Sequence, residues 1–398
     1  MKISAIICEY NPLHNGHVHH IRETRRHGCT HLIAVLSDNF VQRGDVALLG
    51  KFDRASLAIQ AGADLVLELP VAFSCGAAEV YATGAVSLLN ALGVVDELSF
   101  GSSSGNLEVL ELLTEASLST TRTYQKQIRQ RMQEGDSYPA AVWEIIKERY
   151  GAKVAGMMRD PNNLLAVEYL KAMHRSDSRF SAYTIPRRCV MHDSTETSGQ
   201  FASASFIRKS VAEGDSSYLD FLPPYAARLL ADRLRSGGTA TVSQLERVAL
   251  YRMRTITEEE LLLLPDVNAA LAGRFYAARN ANSLEELFGA VKTKCYTMSR
   301  IRRIVMSALI GIRREDLQCE PPYARVLALN ARGSEILAKA KGRAGIRIDT
   351  SLSRLRAAGG DAERFARLEE RAAQVYGLAQ GEISSAEQDY RARIGLEA

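Results

Sequence analysis

Near its N-terminal end the chain carries an apolar run, Ile3–Cys8, that is stopped by Asn11-Pro12 and followed at once by His14, Gly16 and His17. These open a second, amphipathic stretch through Val18, His20 and Ile21. A buried strand, a tight turn and a helix with glycine in its first turn is how an α/β sheet builds an anion site. The free N–H groups of the helix start point at the ligand, and the dipole favours its charge. Histidines three residues apart share one face of that turn and can reach the same group. The plainer alternative is that they cap and pack. Two imidazoles bracketing a glycine at a strand–helix junction favour the phosphate reading, with His14 and His17 stabilising charge on a departing pyrophosphate.

The same alternation continues. His31–Leu36 reads as a second strand, short, continuous and apolar, Ala63–Leu69 as a third stopped by Pro70, Glu97–Phe100 as a fourth, and Phe180–Ile185 as a late one. Helices are expected at 16–26, 52–60, 79–92 and 164–173, with a helical insertion over about 106–155. This pattern predicts an α/β fold: an N-terminal Rossmann-like domain with a parallel sheet and ligands at the carboxyl ends of its strands. The polar stretches Asn11–His17, Ser37–Arg43, Glu68–Pro70 and Gly101–Ser103 converge there. Ser203, Ser205 and Arg208 form a second phosphate candidate at a helix start, with an ordinary serine N-cap as the alternative. Arg187 and Arg188 follow a strand and either clamp phosphate or sit on the surface. Gly101 lets backbone approach a ligand, and Asn162 either meets a base or sugar or caps a helix. Asp38 and Asp64 lie near strand ends without metal spacing, and no metal ligands are expected.

Beyond Gly214 the chain turns to Leu-, Ala- and Arg-rich helix, so we expect a mainly α-helical C-terminal domain over 215–398 after a nucleotide domain over 1–214. Net charge is only +4, so a nucleic-acid surface has to be local. The candidate is Lys292, Lys294, Tyr296, Arg300 and Arg303, a basic run without intervening acids and with an aromatic side chain for stacking; a solvated helix face is its plainer reading. Six scattered cysteines without a CxxC pair fit a reducing, cytoplasmic setting. No apolar run is long enough to span a bilayer, and no protein partner is indicated.

Asn11-Pro12, His14, Gly16 and His17 together with Ser203, Ser205 and Arg208 resemble the HxGH nucleotidyltransferases. Longer stretches are similar to the bacterial tRNA(Met) cytidine acetate ligase family: Cys8–His17, Asp38–Gly44, Glu68–Val71, Ala77–Val86, Leu98–Ser102, Pro161–Leu165 and Thr293–Ile301. The likeness runs to about Leu329 and thins over the last sixty or so residues. It departs from the family pattern at Asp38, Ser103 and Cys295.

The resemblance implies an ATP-dependent ligase that makes acetyl-adenylate from acetate and transfers the acetyl group to N4 of the wobble cytidine of elongator tRNA(Met). ATP would be held by the loop Ile7, Cys8, Glu9, Tyr10, Asn11, Pro12, Leu13, His14, Asn15, Gly16, His17, Val18, His19 and His20. Gly101, Asn162, Arg187, Arg188 and Ser205 would complete that site, and His14, His17 and Arg208 would act in catalysis. Mg2+ is expected to accompany ATP. Two other readings stay open, a small-molecule adenylyltransferase and a non-catalytic RNA-binding protein that retains a nucleotide pocket.

Overall fold

Strand β1 (Ile3–Cys8) is the hub of the computed structural model, which describes the chain apart from residues 119–121, 136–137, 188–200, 393–394 and 397–398. It lies parallel between β2 (His31–Ser37), in register from Ile3 opposite His31 to Cys8 opposite Leu36, and β4 (Glu97–Ser102). Between them in sequence come helix α1 (Asn15–Arg26), α2 (Lys51–Gln60), strand β3 (Leu65–Leu69) and α3 (Ala78–Leu92). Later come α4 (Pro161–Arg175), β5 (Ser181–Pro186), α5 (Ala204–Glu213) and α6 (Met298–Ile310), then β6 (Tyr323–Leu329) and α7 (Gly360–Leu378).

Successive side chains of a strand point to opposite sheet faces, and here both faces are covered. Ile3, Ala5, Ile33 and Val35 pack into one core with α3, α4 and the C-terminal helices. Ile6, Cys8, Leu32, Ala34 and Leu36 pack into another with α1, α2 and the 218–234 helices. Burial on both sides explains why the central strands read as mostly apolar runs, their few polar side chains (Ser4 and Glu68 among them) being buried as well. The 106–155 insertion is helical, at 107–118, 122–133, 138–150 and 152–157.

The boundary at 214 does not hold as drawn. Among the described residues the main sheet has eight strands, ordered Gly395–Leu396, β6, β3, β2, β1, β4, β5, with Arg347–Asp349 pairing β6. Thus the second half returns three strands to the first half's sheet, β6 running antiparallel to β3. The sequence Tyr323–Leu329 has a strand's length and burial but carries Arg325, which made it read as part of an arginine-rich helical region. That guanidinium is 2% exposed and pairs with Glu68 and Asp389. Its charge is neutralised inside the fold and never meets water.

Arg325 belongs to a buried ionic cluster. The Lys51 ammonium donates to Asp38 Oδ2 at 2.8 Å and Asp389 Oδ2 at 3.1 Å, pairs closely with Glu68, and lies 3.7 Å from Glu369 Oε2. Glu369 in turn accepts the Val71 N–H at 2.7 Å. Asp38, Glu68 and Glu369 also form a group compact enough to hold a metal ion. The Lys51 ammonium already fills the cationic role among them, so the donor set does not fit a resident metal. Glu68 was expected at the ligand-binding end of the sheet; it points into this cluster instead. Asp64 is structural too, bonded to Arg25 at 2.6 Å and to the Leu32 N–H at 2.7 Å.

Candidate functional site

The turn after β1 is built tightly. Tyr10 takes a positive φ of 48° and is buried, Asn11–Pro12 is cis, and His14 is the N-cap of α1. The Nδ1 of His14 accepts the Gly16 N–H at 3.1 Å, and the Nδ1 of His17 accepts the His14 N–H at 3.2 Å. This is a capping box made of two imidazoles, whose rings stack 3.7 Å apart. The capping and phosphate readings are therefore not exclusive. With each Nδ1 occupied as an acceptor, a neutral ring carries its proton on Nε2, so both histidines offer Nε2–H donors.

Burial, reinforced by Arg187 and Arg208, holds the His14 imidazole down at about 3; burial and neighbouring His14 keep His17 well below its usual range. His20, bonded to Ser99 Oγ at 3.1 Å, is also lowered to about 3 by burial. A stability consequence follows. The unfolded chain takes a proton at each imidazole as pH drops through about 6.5, while the folded rings of His14 and His20 resist down to about 3. Below pH ~6.5 the unfolded state binds more protons, so these groups make stability fall with falling pH through that window. Burial raises Glu9, which acts in the opposite sense. We therefore expect His20→Gln to show a smaller loss of urea midpoint between pH 7 and pH 5 than the parent chain. Equal losses in the two proteins contradict the assignment.

The remaining parts converge on the same turn. Arg208, one turn into α5, donates to the Asn11 carbonyl at 2.7 Å. Ser203 is the N-cap of α5, accepting the Phe206 N–H at 3.0 Å and sharing a hydrogen bond with Ser205. Asn162 follows the Asp160 cap of α4 and is bonded to Arg187 and to Ser103 Oγ. A Cβ on Gly101 would sit 3.2 Å from Arg187 Cγ, so the glycine lets the arginine stem cross the end of β4. Arg188 lies outside the described residues.

These groups line one cavity of about 780 Å³. Within the expected loop, Ile7–Asn11, His14, Gly16, His17, His19 and His20 reach it, whereas Pro12, Leu13, Asn15 and Val18 do not. Leu13 and Val18 are core, and Asn15 reaches the Asp220 carbonyl. Gln42 and Arg43, from the polar stretch expected at this end of the sheet, line it too, and so do three residues not foreseen as site residues: Tyr81 of α3, Tyr169 of α4 and Arg302 of α6, the last from within the basic run. Gly44 (φ 71°) explains the last of these. A Cβ there would lie 2.3 Å from the Arg303 backbone nitrogen, so only glycine lets the hairpin 40–46 touch α6 and bring that helix start to the cavity.

The basic segment divides. Lys292 and Lys294 are exposed and Tyr296 stacks with Arg300. Arg300 Nε donates to the Asp266 carbonyl at 2.9 Å; Arg303 pairs with Asp266 at 3.1 Å and reaches the Gln42 carbonyl. Their guanidinium groups hold the fold together, and Arg302 takes the cavity-facing place. Among the described residues no helix is long and apolar enough to cross a membrane.

A sequence model of the HIGH nucleotidyl transferase family matches residues 1–391. The tRNA(Met) cytidine acetate ligase of Alkaliphilus metalliredigens is 33% identical, covering 98% of this chain and 97% of its own length. That of Clostridium kluyveri is 37% identical over 88% and 90%. The likeness thus runs past Leu329, where the motifs thin. Among solved structures, the apo crystal structure of Thermotoga maritima TmcAL superposes with a TM-score of 0.94 at 27% identity, covering all of both chains. The same protein bound with alpha-thio ATP gives 0.91.

Proposed function

This chain belongs to the HIGH nucleotidyltransferase family and, within it, to the tRNA(Met) cytidine acetate ligases, and we propose that it joins acetate to ATP as acetyl-adenylate and passes the acetyl group to N4 of the wobble cytidine of elongator tRNA(Met). The observation that carries this is a single cavity walled by the histidine-capped start of α1, the serine-capped start of α5 and the start of α6. Acetate is a poor acyl donor; attack on Pα turns its oxygen into part of a good leaving group and expels pyrophosphate. The charge that builds on pyrophosphate meets the Nε2–H donors of His14 and His17, the N-terminus of α5 and Arg208. Gly101, Asn162 and Arg187 take the nucleoside end. Glu9 and Asp45 are the carboxylates lining the cavity among the described residues, and they do not group as a metal site. Mg2+ would enter on the triphosphate's own oxygens.

The test is to incubate the protein with ATP, labelled acetate and an unmodified elongator tRNA(Met) transcript. Acid-stable label in cytidine is expected; label confined to a small-molecule acceptor would overturn the reading. For RNA contact, the exposed Lys292 and Lys294 are the phosphate candidates. Replacing both by Ala should weaken tRNA binding and flatten the dependence of log K on log salt by about 1–2. Replacing Arg300 and Arg303, which anchor Asp266, should lower stability first. An unchanged salt slope in the lysine pair removes that segment from the interface.

A further inference from the structure

We infer that the Glu9 carboxylate takes the proton that cytidine N4 loses as it accepts the acetyl group, and that the same carboxylate selects cytosine at that position. This rests on the acetate ligase reading above. The transfer step needs an acceptor for one proton: the N4–C bond forms, the C–O bond to the adenylate breaks with its electron pair leaving on the AMP phosphate, and one N4 hydrogen departs. His14 and His17 cannot be that acceptor, because each spends Nδ1 on a backbone N–H and presents Nε2–H. His20 bonds Ser99, and His19 lies 3.8 Å from Glu23.

Glu9 is placed and braced for the task. It follows β1 directly, at the carboxyl end of the central strand, and lines the cavity. One carboxylate oxygen, Oε1, accepts the Gln42 N–H at 2.9 Å. Its own carbonyl accepts from Arg54 Nη1 at 2.7 Å. Arg54 is fully buried and also donates to the carbonyls of Leu49, Ser37 and Asp38, tying the ends of β1 and β2 into one frame. Asp45, the other cavity carboxylate among the described residues, is turned back on the Val46 N–H at 2.9 Å.

Glu9 also stands where the two halves of the cavity meet. Two residues on, Asn11 holds Arg208 of the phosphate side. Across its carboxylate, Gln42 belongs to the hairpin that touches Arg302 and Arg303 of α6. A carboxylate accepts a hydrogen bond from the cytosine amine and repels the carbonyl that uracil offers at the same place.

The charged and titratable groups acting on or sensing Glu9 are Arg54 of α2, Arg43 of the hairpin and Arg208 of α5, with Tyr81 of α3, Tyr169 of α4, Cys8 and Cys75. Burial outweighs the three arginines and raises the carboxyl above its usual value, a change that strengthens a base.

The experiment separates the two half-reactions in the full chain carrying Glu9→Gln. Acetate-dependent exchange of labelled pyrophosphate into ATP, without tRNA, reads adenylation. Single-turnover transfer from preformed acetyl-adenylate to the tRNA transcript reads the second step. Transfer should fall roughly 10²-fold or more beyond any fall in exchange, and its acidic pH limb should vanish. Glu9→Asp, which keeps the carboxylate, should keep that limb. Equal falls in the two half-reactions, or an acidic limb that survives in Glu9→Gln, overturn the inference while leaving the ligase reading intact. Absence of acetate-dependent exchange in the parent chain removes the ligase reading and the inference with it.

Discussion

His17→Ala should lower acetate-dependent adenylation by about 10²–10³-fold, the usual loss for removing one preorganised donor to a developing anion, with the KM for ATP changed far less. The expectation follows from the ring's two roles. Its ring lines a cavity that Arg208, Ser203 and Ser205 also line. Its Nδ1 accepts the His14 N–H as half of the capping box. Alanine removes both, and losing a cap costs about 1 kcal/mol of stability. His17→Asn separates the roles, since its side-chain oxygen can still accept from the N-cap N–H. It should recover most of the unfolding free energy and little of the rate. A variant that regains both together would make the histidine a cap and nothing more.

Lys51→Met should destabilise the chain by about 3–5 kcal/mol, the range for breaking a buried ion pair by removing one partner. The ammonium is 1% exposed and lies among Asp38, Glu68, Glu369 and Asp389, all at most 3% exposed. Burial alone would push Lys51 toward losing its proton, yet the surrounding carboxylates hold it well above its usual value. Arg325 neutralises only part of the excess, and burial raises Glu369 well above the usual carboxylate range. Removing the lysine leaves Arg325 as the cluster's cation. Adding Glu68→Gln to Lys51→Met should recover part of the loss, because it removes one stranded charge. Denaturant midpoints of the two variants read this directly; a double variant no more stable than Lys51→Met contradicts the coupling.

The cluster also shows where sequence reading succeeds and where it stops. Ile3–Cys8 was legible to the residue because its burial on both faces leaves a run that is apolar but for Ser4. Ser203 announced the start of α5, because capping is local chemistry, whereas α4, expected from 164, begins three residues earlier at Pro161 behind the Asp160 cap. β6 was missed because a strand bearing arginine is only sensible once Glu68 and Asp389, distant in sequence, are known to surround it. Arg300 and Arg303 looked like RNA contacts because a linear run does not reveal Asp266 folding back beneath them. Arg302, one residue away, reaches the cavity only because Gly44 admits the hairpin to α6. The convergence of His14, His17, Gly101, Asn162, Arg187 and Arg208 was foreseeable, since a parallel sheet brings its carboxyl-end loops together. That the histidines hold each other as a mutual cap was not, because it depends on ring orientation.

The claim at the centre is that this cavity activates acetate at the α-phosphate of ATP. The most direct measurement is exchange of labelled pyrophosphate into ATP by the purified chain, with Mg2+ and without tRNA, as acetate is varied. Exchange that depends on acetate and is lost in His17→Ala is expected. Exchange that proceeds equally without acetate, or that only another acceptor supports, contradicts it.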